Sequence, residues 1–147
     1  MAREDEGSRI LVADDEPEVV DLVRIMLEQE GHTIVEAFNG EQALDLARTD
    51  QPDLILLDVL MPKMSGLEVL QHLQADPATA AIPVIVLSVV TTHPEVQSAV
   101  HRGAVAYLTK PFELREMVRL VASVLGMDAA QRVTMQQHTL QRLGRPW

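Results

Sequence analysis

The sequence predicts an α/β fold, five parallel strands alternating with helices in a (βα)5 arrangement with both faces of the sheet covered. Two observations predict it. Short apolar runs recur at Ile10–Ala13, Leu54–Leu57, Val84–Leu87 and Ala104–Leu108, apolar at every position rather than at alternate ones. Strands buried on both faces read this way, and both-face burial belongs to parallel sheets. Between the runs lie segments whose apolar residues recur at three- and four-residue spacing, the pattern of amphipathic helices that cross over between parallel strands.

The first strand, Ile10–Ala13, ends in acid. The helix after it carries Val19, Leu22, Val23, Met26 and Leu27 on one face, with Pro17 suited to its first turn and Gly31 to a left-handed stop. Asp15 is placed to cap it. Thr33–Ala37 is the second strand, and Asn39 caps a short helix over 40–49. The third strand, Leu54–Leu57, is closed by Asp58; a loop with Pro62 and Gly66 leads to a helix bearing Leu67, Leu70 and Leu73. The fourth strand, Val84–Leu87, ends at Ser88. Pro94 opens a helix with Val96, Ala99 and Val100, closed at Gly103. Ala104–Leu108 is the fifth strand, ended by Lys110 and Pro111. A strong helix carrying Leu114, Met117, Val118, Val121 and Leu125 follows and stops at Gly126.

Composition narrows the function. A chain of 147 residues is one domain, able to bury roughly 70% of the surface exposed when unfolded. The longest apolar run is five residues, Ala104–Leu108, which excludes a membrane span, and the polar N-terminus excludes a secretory signal. A cytoplasmic location follows as the expectation. Without cysteine there are no disulfides, thiolate metal sites or thiol nucleophiles. The net charge of −10 argues against nucleic-acid or anionic-membrane binding by the body of the chain. That charge is uneven, −12 over residues 1–126 and +2 over 127–147. Four aromatic residues are too few for flavin or single-strand stacking platforms. Dinucleotide, P-loop and G-x-S-x-G signatures are absent, and the five histidines show no metal-binding spacing and read as surface residues.

Ligands of such sheets bind at the carboxyl ends of the strands. There the chain places Asp14 and Asp15, Asp58, Ser88 and Lys110. Any one alone reads as a helix cap or a solvated side chain, but five on one rim read as a site. Clustered carboxylates repel, and a hard divalent cation relieves them; Mg²⁺ suits a few carboxylates and leaves room for a phosphoryl oxygen. Three aspartates, one divalent cation and Lys110 sum to zero charge, a site able to receive a phosphoryl dianion. Carboxylates are also covalent nucleophiles for phosphoryl groups.

Asp14-Asp15, Asp58, Ser88 and Lys110, together with Met61-Pro62-Lys63-Met64-Ser65-Gly66 and Tyr107-Leu108-Thr109-Lys110-Pro111-Phe112, resemble the receiver domain of two-component response regulators, of the single-domain chemotaxis-like type. The resemblance runs from about Arg9 to Gly126, leaving residues 1–8 as an extension and 127–147 as a basic tail or linker. It implies a flavodoxin-like strand order of 2-1-3-4-5. It implies Asp58 as phosphoacceptor, served by a histidine kinase or a histidine phosphotransfer protein. Asp14, Asp15, Asp58 and the Leu60 carbonyl are implied to hold Mg²⁺, with Mn²⁺ as an alternative. Ser88 and Lys110 are implied to stabilise the phosphoryl group, with Ser88 and Tyr107 as the switch pair and a cis bond between Lys110 and Pro111. The downstream protein is expected to dock on the fourth helix, fifth strand and fifth helix, with no DNA or membrane binding and no enzymatic turnover of a separate substrate. The rivals are a phosphorylation-independent pseudo-receiver scaffold, the receiver fragment of a longer regulator and, more remotely, an aspartyl-nucleophile phosphatase.

Two departures from that family stand out. Val89 follows Ser88 where a small residue is common, and its branched side chain is expected to narrow access to the phosphoryl site. Val89→Ala should therefore change the phosphoryl half-life; equal rates in the two proteins would dismiss the idea. Val105 and Ala106 stand where family members often carry two acids. The surface they belong to is expected to favour apolar contact and not to support a charged dimer through Arg115 or Arg119. The tail, with Val133, Met135, Leu140 and Leu143 only loosely periodic, reads as an extra helix, a linker or a disordered end, its positive charge suited to docking on the acidic body.

Overall fold

The computed structural model describes residues 7–89 and 93–143. The elements follow in the order β1 (Arg9–Ala13), α1 (Pro17–Gln29), β2 (Thr33–Ala37), α2 (Gly40–Asp50), β3 (Leu54–Asp58), α3 (Gly66–Ala75), β4 (Val84–Val89), α4 (His93–His101), β5 (Ala106–Lys110), α5 (Leu114–Leu125) and α6 (Ala129–Leu143). All strand pairs are parallel, in the order β2-β1-β3-β4-β5. The winding therefore reverses between β1 and β3, and the crevice for a ligand lies over their carboxyl ends.

Alternate strand residues divide between two cores, as the two-residue period of a strand requires. Leu11, Ile55, Leu57, Val84 and Val86 pack with α2, α3 and α4 through Ala47, Leu70, Leu73 and Val100. Ile10, Val12, Leu54, Leu56, Ile85 and Leu87 pack with α1 and α5 through Val23, Leu27, Met117 and Val121. All of β3 is buried, consistent with its uninterrupted apolar run.

Local chemistry sets the helix ends. Pro17 opens α1, and Gly31 takes the positive φ of +93° just beyond its end. The N-cap of α1 is Glu16, not Asp15. The Glu16 N–H is taken by Asp14 Oδ1 at 3.0 Å, so the buried aspartate satisfies the chain entering the helix and Asp15 points to solvent. Asn39 Oδ1 accepts from the Gln42 N–H (2.9 Å), and Gln42 Oε1 from the Phe38 N–H (2.8 Å). His32 is half-buried rather than a plain surface residue. Its Nδ1 accepts from the Ser8 N–H (3.0 Å), and burial lowers its pKa. The side chains of Val89 and Val96 and the residues before Gly7 lie outside the described residues.

The strand β5 begins at Ala106, two residues later than the apolar run suggests. Gly103 makes a left-handed turn (φ +117°), and Val105 donates its N–H to the Val84 carbonyl (2.9 Å) before the ladder starts at the Ile85–Ala106 pair. The ladder then extends to Lys110, just as β3 includes Asp58 and β4 includes Ser88. The chemical residues are thus held by the sheet itself.

Gly66 carries the loop after β3 back onto the strand end. Its N–H donates to the Val59 carbonyl (2.8 Å), and a methyl group there would run into the Asp58 carbonyl and lie 2.8 Å from Val59 Cα. Both are backbone atoms with little room to yield. Gly66→Ala is expected to lower stability by about 1–3 kcal/mol, read as a lower urea midpoint at unchanged slope.

Candidate functional site

The register assembles the site. Ala13 pairs with Leu57, so Asp14 and Asp58 stand side by side one step further along. Asp58 pairs with Leu87, which sets Ser88 one residue above it; Ser88 pairs with Thr109, and Val89 with Lys110. Asp14, Asp58 and Ser88 are buried, and the Lys110 side chain is only 11% exposed. The Lys110–Pro111 peptide bond is cis.

Lys110 reaches across the sheet to three carboxylates. Its Nζ lies 2.6 Å from Asp14 Oδ2, 3.0 Å from Glu16 Oε1 and 3.4 Å from Asp58 Oδ2. Asp58 Oδ1 accepts from the Leu60 N–H at 3.2 Å. Burial pushes the Asp58 carboxyl up to about 7, the Asp14 charge adds to this, and Lys110 and the Leu60 N–H only partly oppose it. Burial alone would lower the Lys110 ammonium, but hydrogen bonding to Asp14 and Glu16 and the charges of Asp58 and Asp14 outweigh it, and its pKa is raised.

Glu16 is the residue missed by inspection of the strand ends. It lies at the start of α1, yet it binds Lys110, and its carboxylate oxygen gathers with those of Asp14 and Asp15 within 4.8 Å of one another. The run Asp14-Asp15-Glu16 is the signal that was available. With Asp58 and Asp15, four carboxylates gather at this rim, and the half-buried Lys110 pairs with three of them.

That excess of negative charge tests whether a cation suits the site. Asp14 Oδ2 is shut away from solvent and, beyond its ion pair with Lys110, accepts no hydrogen bond of good geometry. A buried carboxylate oxygen in that position wants a second positive partner. Asp15 and Glu16 are exposed, leaving the site open on one side for waters, which Mg²⁺ retains readily. Oxygen donors alone, some buried and some solvated, fit a hard divalent ion.

Tyr107 is half-buried on the α4 side of β5. The residue also lines a trough beside α5 and α6, together with Glu116 and Arg142.

A five-stranded parallel sheet with this acid–lysine rim defines a class of domain, and comparison with known proteins identifies it. The chain belongs to the response regulator receiver domain family, whose model matches residues 10–122. It is 42% identical over 117 residues to the DNA-binding dual master transcriptional regulator RpaA of Synechocystis, covering 80% of this chain but only 48% of that protein. Protein PilH of Pseudomonas aeruginosa is 35% identical over 81% of this chain and 98% of its own length. Among solved structures, the chemotaxis response regulator CheY4 of Vibrio cholerae superposes with a TM-score of 0.76 at 26% identity, over 80% of this chain and 98% of that one. The receiver domain of the Francisella response regulator 1452 superposes with a TM-score of 0.75 at 30% identity, over 81% and 97%. Among the described residues no helix is long and apolar enough to cross a membrane.

Proposed function

We propose that this receiver accepts a phosphoryl group on Asp58 in a divalent-cation-dependent reaction and passes the signal on by a change in shape. The observation that carries the reading is the position of Asp58, buried at a strand end between Asp14 and the Lys110 ammonium at 3.4 Å. One Asp58 oxygen attacks phosphorus, and the bond from phosphorus to the donor breaks with its electron pair leaving on the donor. The donor is the phosphohistidine of a kinase or phosphotransfer protein, or a small acyl phosphate.

Asp14, Asp15 and Asp58, with the Leu60 carbonyl, are the residues to hold Mg²⁺, which supplies positive charge for the phosphoryl oxygens when bound. The chain does the rest. The sheet fixes Asp58, the Leu60 N–H orients its Oδ1, and Lys110, already among three carboxylates, turns its ammonium toward the new oxygens. Ser88, one residue above Asp58 on the neighbouring strand, is the residue assigned to donate its hydroxyl to the phosphoryl group. Phosphorylation adds roughly −1.5 to −2 charges and three acceptor oxygens, so both groups are drawn toward Asp58. Tyr107, at the half-buried position on β5, is the aromatic that would follow Ser88.

The protein is then a signalling acceptor rather than an enzyme with a separate substrate, and its acidic body suits protein partners in the cytoplasm. Incubation with Mg²⁺ and acetyl phosphate, followed by phosphate-affinity electrophoresis, tests this. A retarded band that is lost with EDTA and in Asp58→Asn is expected. A protein that never shifts would instead be a scaffold, and steady phosphate release without a band would indicate a phosphatase.

A further inference from the structure

The helix α6 lies outside the segment matched by the family model, and it sits where a downstream partner was expected. It packs on α4 and on β5, the edge strand of the sheet. Leu140 and Leu143 join the core on the α4 side and Met135 the core on the α5 side, so α6 straddles the open edge. Val105 and Ala106, the two residues that replace acids, are buried where α6 arrives. Thr139 donates its hydroxyl to the Val105 carbonyl at 3.2 Å.

Its attachment is shallow for a helix of 15 residues. Only Thr139 and Leu143 are buried, and Val133 is 51% exposed. Besides the partly buried Met135 and Leu140, the docking is polar: Gln136 Nε2 donates to the Val100 carbonyl (2.7 Å), Gln97 Nε2 to the Leu143 carbonyl (3.4 Å) and Arg132 Nε to the Val124 carbonyl (3.4 Å). These groups lose little on leaving. The Thr139 hydroxyl also lies 2.9 Å from the Met135 carbonyl within its own helix, and the glutamines can turn to water. The start of α6 is secured locally by a reciprocal cap, with the Gln131 N–H on Asp128 Oδ1 (2.8 Å) and the Asp128 N–H on Gln131 Oε1 (2.9 Å). The helix thus keeps its own start, while only two of its residues are buried and much of its hold on the body is through side-chain hydrogen bonds to carbonyls, bonds that water can replace.

What it rests on is what the site would move. Ser88 and Val89 end the strand that leads to α4, Lys110 ends β5, and Tyr107 lies beside Thr139 and Arg142 in one trough. We propose that α6 is a self-docked latch: it covers the α4–β5 face while Asp58 is unmodified and leaves that face when Asp58 is phosphorylated. This rests on the phosphoacceptor reading of the site. A pull on Ser88 and Lys110 shifts the supports of α6, and its largely polar attachment yields.

The test is hydrogen exchange by mass spectrometry on the full chain in Mg²⁺, with and without acetyl phosphate, each sample also run on a phosphate-affinity gel. With the phosphorylated band present, amides of 136–143 should exchange at least tenfold faster while β1 and β3 keep their protection. A phosphorylated band with unchanged exchange in α6 overturns the latch and leaves the phosphoacceptor reading standing. No band overturns both. Gln136→Ala supplies the second check, since it removes the bond to Val100 while improving helix propensity. Without any phosphodonor it should speed exchange in 136–143 by about three- to tenfold, the effect of losing one hydrogen bond. Exchange in that variant equal to wild type would show that α6 is not held by this contact, against the proposal.

Discussion

Asp58→Asn should make the metal-free protein more stable at pH 8, by about 1–3 kcal/mol. The reason is the environment of Asp58, buried beside Asp14 with its carboxyl raised to about 7. An acid whose folded pKa is above its unfolded value binds more protons folded than unfolded across the interval between them. Its ionisation therefore subtracts stability as pH rises from about 4 to about 7, and the full penalty remains above 7. With the carboxyl at about 7 in the folded chain and about 4 when unfolded, the penalty is on the order of a few kcal/mol. The asparagine recovers less than that because it gives up the attraction of Lys110. Urea denaturation in EDTA at several pH values should show the variant's advantage growing from pH 5 to pH 8. Saturating Mg²⁺ should narrow the gap by stabilising wild type. An advantage that shrinks with rising pH would mean that Asp58 is not the strained carboxylate.

Lys110→Ala acts in the opposite direction and is the most damaging single change expected at the site. It removes the cation that lies within 3.4 Å of Asp14, Glu16 and Asp58, two of which are buried. Breaking a buried ion pair from one side leaves a charge without compensation, at a cost of about 3–5 kcal/mol. The opening toward Asp15 and Glu16 lets water relieve part of this, so a loss of about 2–4 kcal/mol in EDTA is expected. The Lys110 pKa is raised in the folded state. Its contribution is therefore complete below the ordinary lysine value and is lost only as pH climbs through the raised one. Between pH 6 and 9 the ammonium does not titrate, so a pH slope in that window does not come from Lys110. Mg²⁺ should restore more stability to Lys110→Ala than to wild type, as measured by urea midpoints with and without the ion. Equal recovery would show that lysine and cation do not serve the same carboxylates.

Most of the fold was legible because burial on both faces leaves a direct imprint. The runs Leu54–Leu57 and Val84–Leu87 are apolar at every position, and each became a strand feeding two cores. The start of β5 was not legible from Ala104–Leu108, since Ala104 and Val105 are apolar for a different reason. They line the cores before the ladder begins, and Val105 is covered from outside. Asp14, Asp58, Ser88 and Lys110 could be read from their places at strand ends, where a parallel sheet gathers its chemistry. Glu16 carried a weaker signal, its place in the run Asp14-Asp15-Glu16, because an acid at a helix start is ordinary; the reach of Lys110 is what sets it apart.

The tail was the least legible part. Its apolar residues form no continuous stripe, because α6 docks through Gln136 and Thr139 onto backbone carbonyls as much as through Leu140 and Leu143. Hydrophobic periodicity does not register such an interface. Val105 and Ala106 held the complementary signal. Read alone they marked a less charged surface; with α6 in place they are the floor of an intramolecular contact, and acids there would be buried against it.

The central claim is that the phosphoryl group forms on Asp58 and on no other carboxylate of the cluster. Peptide mapping by mass spectrometry after treatment with acetyl phosphate and Mg²⁺, with borohydride reduction to mark the acyl phosphate, tests it directly. The predicted result is a single modified site at Asp58. Modification at Asp14, Asp15 or Glu16, or a wholly unmodified map under the same conditions, would contradict it.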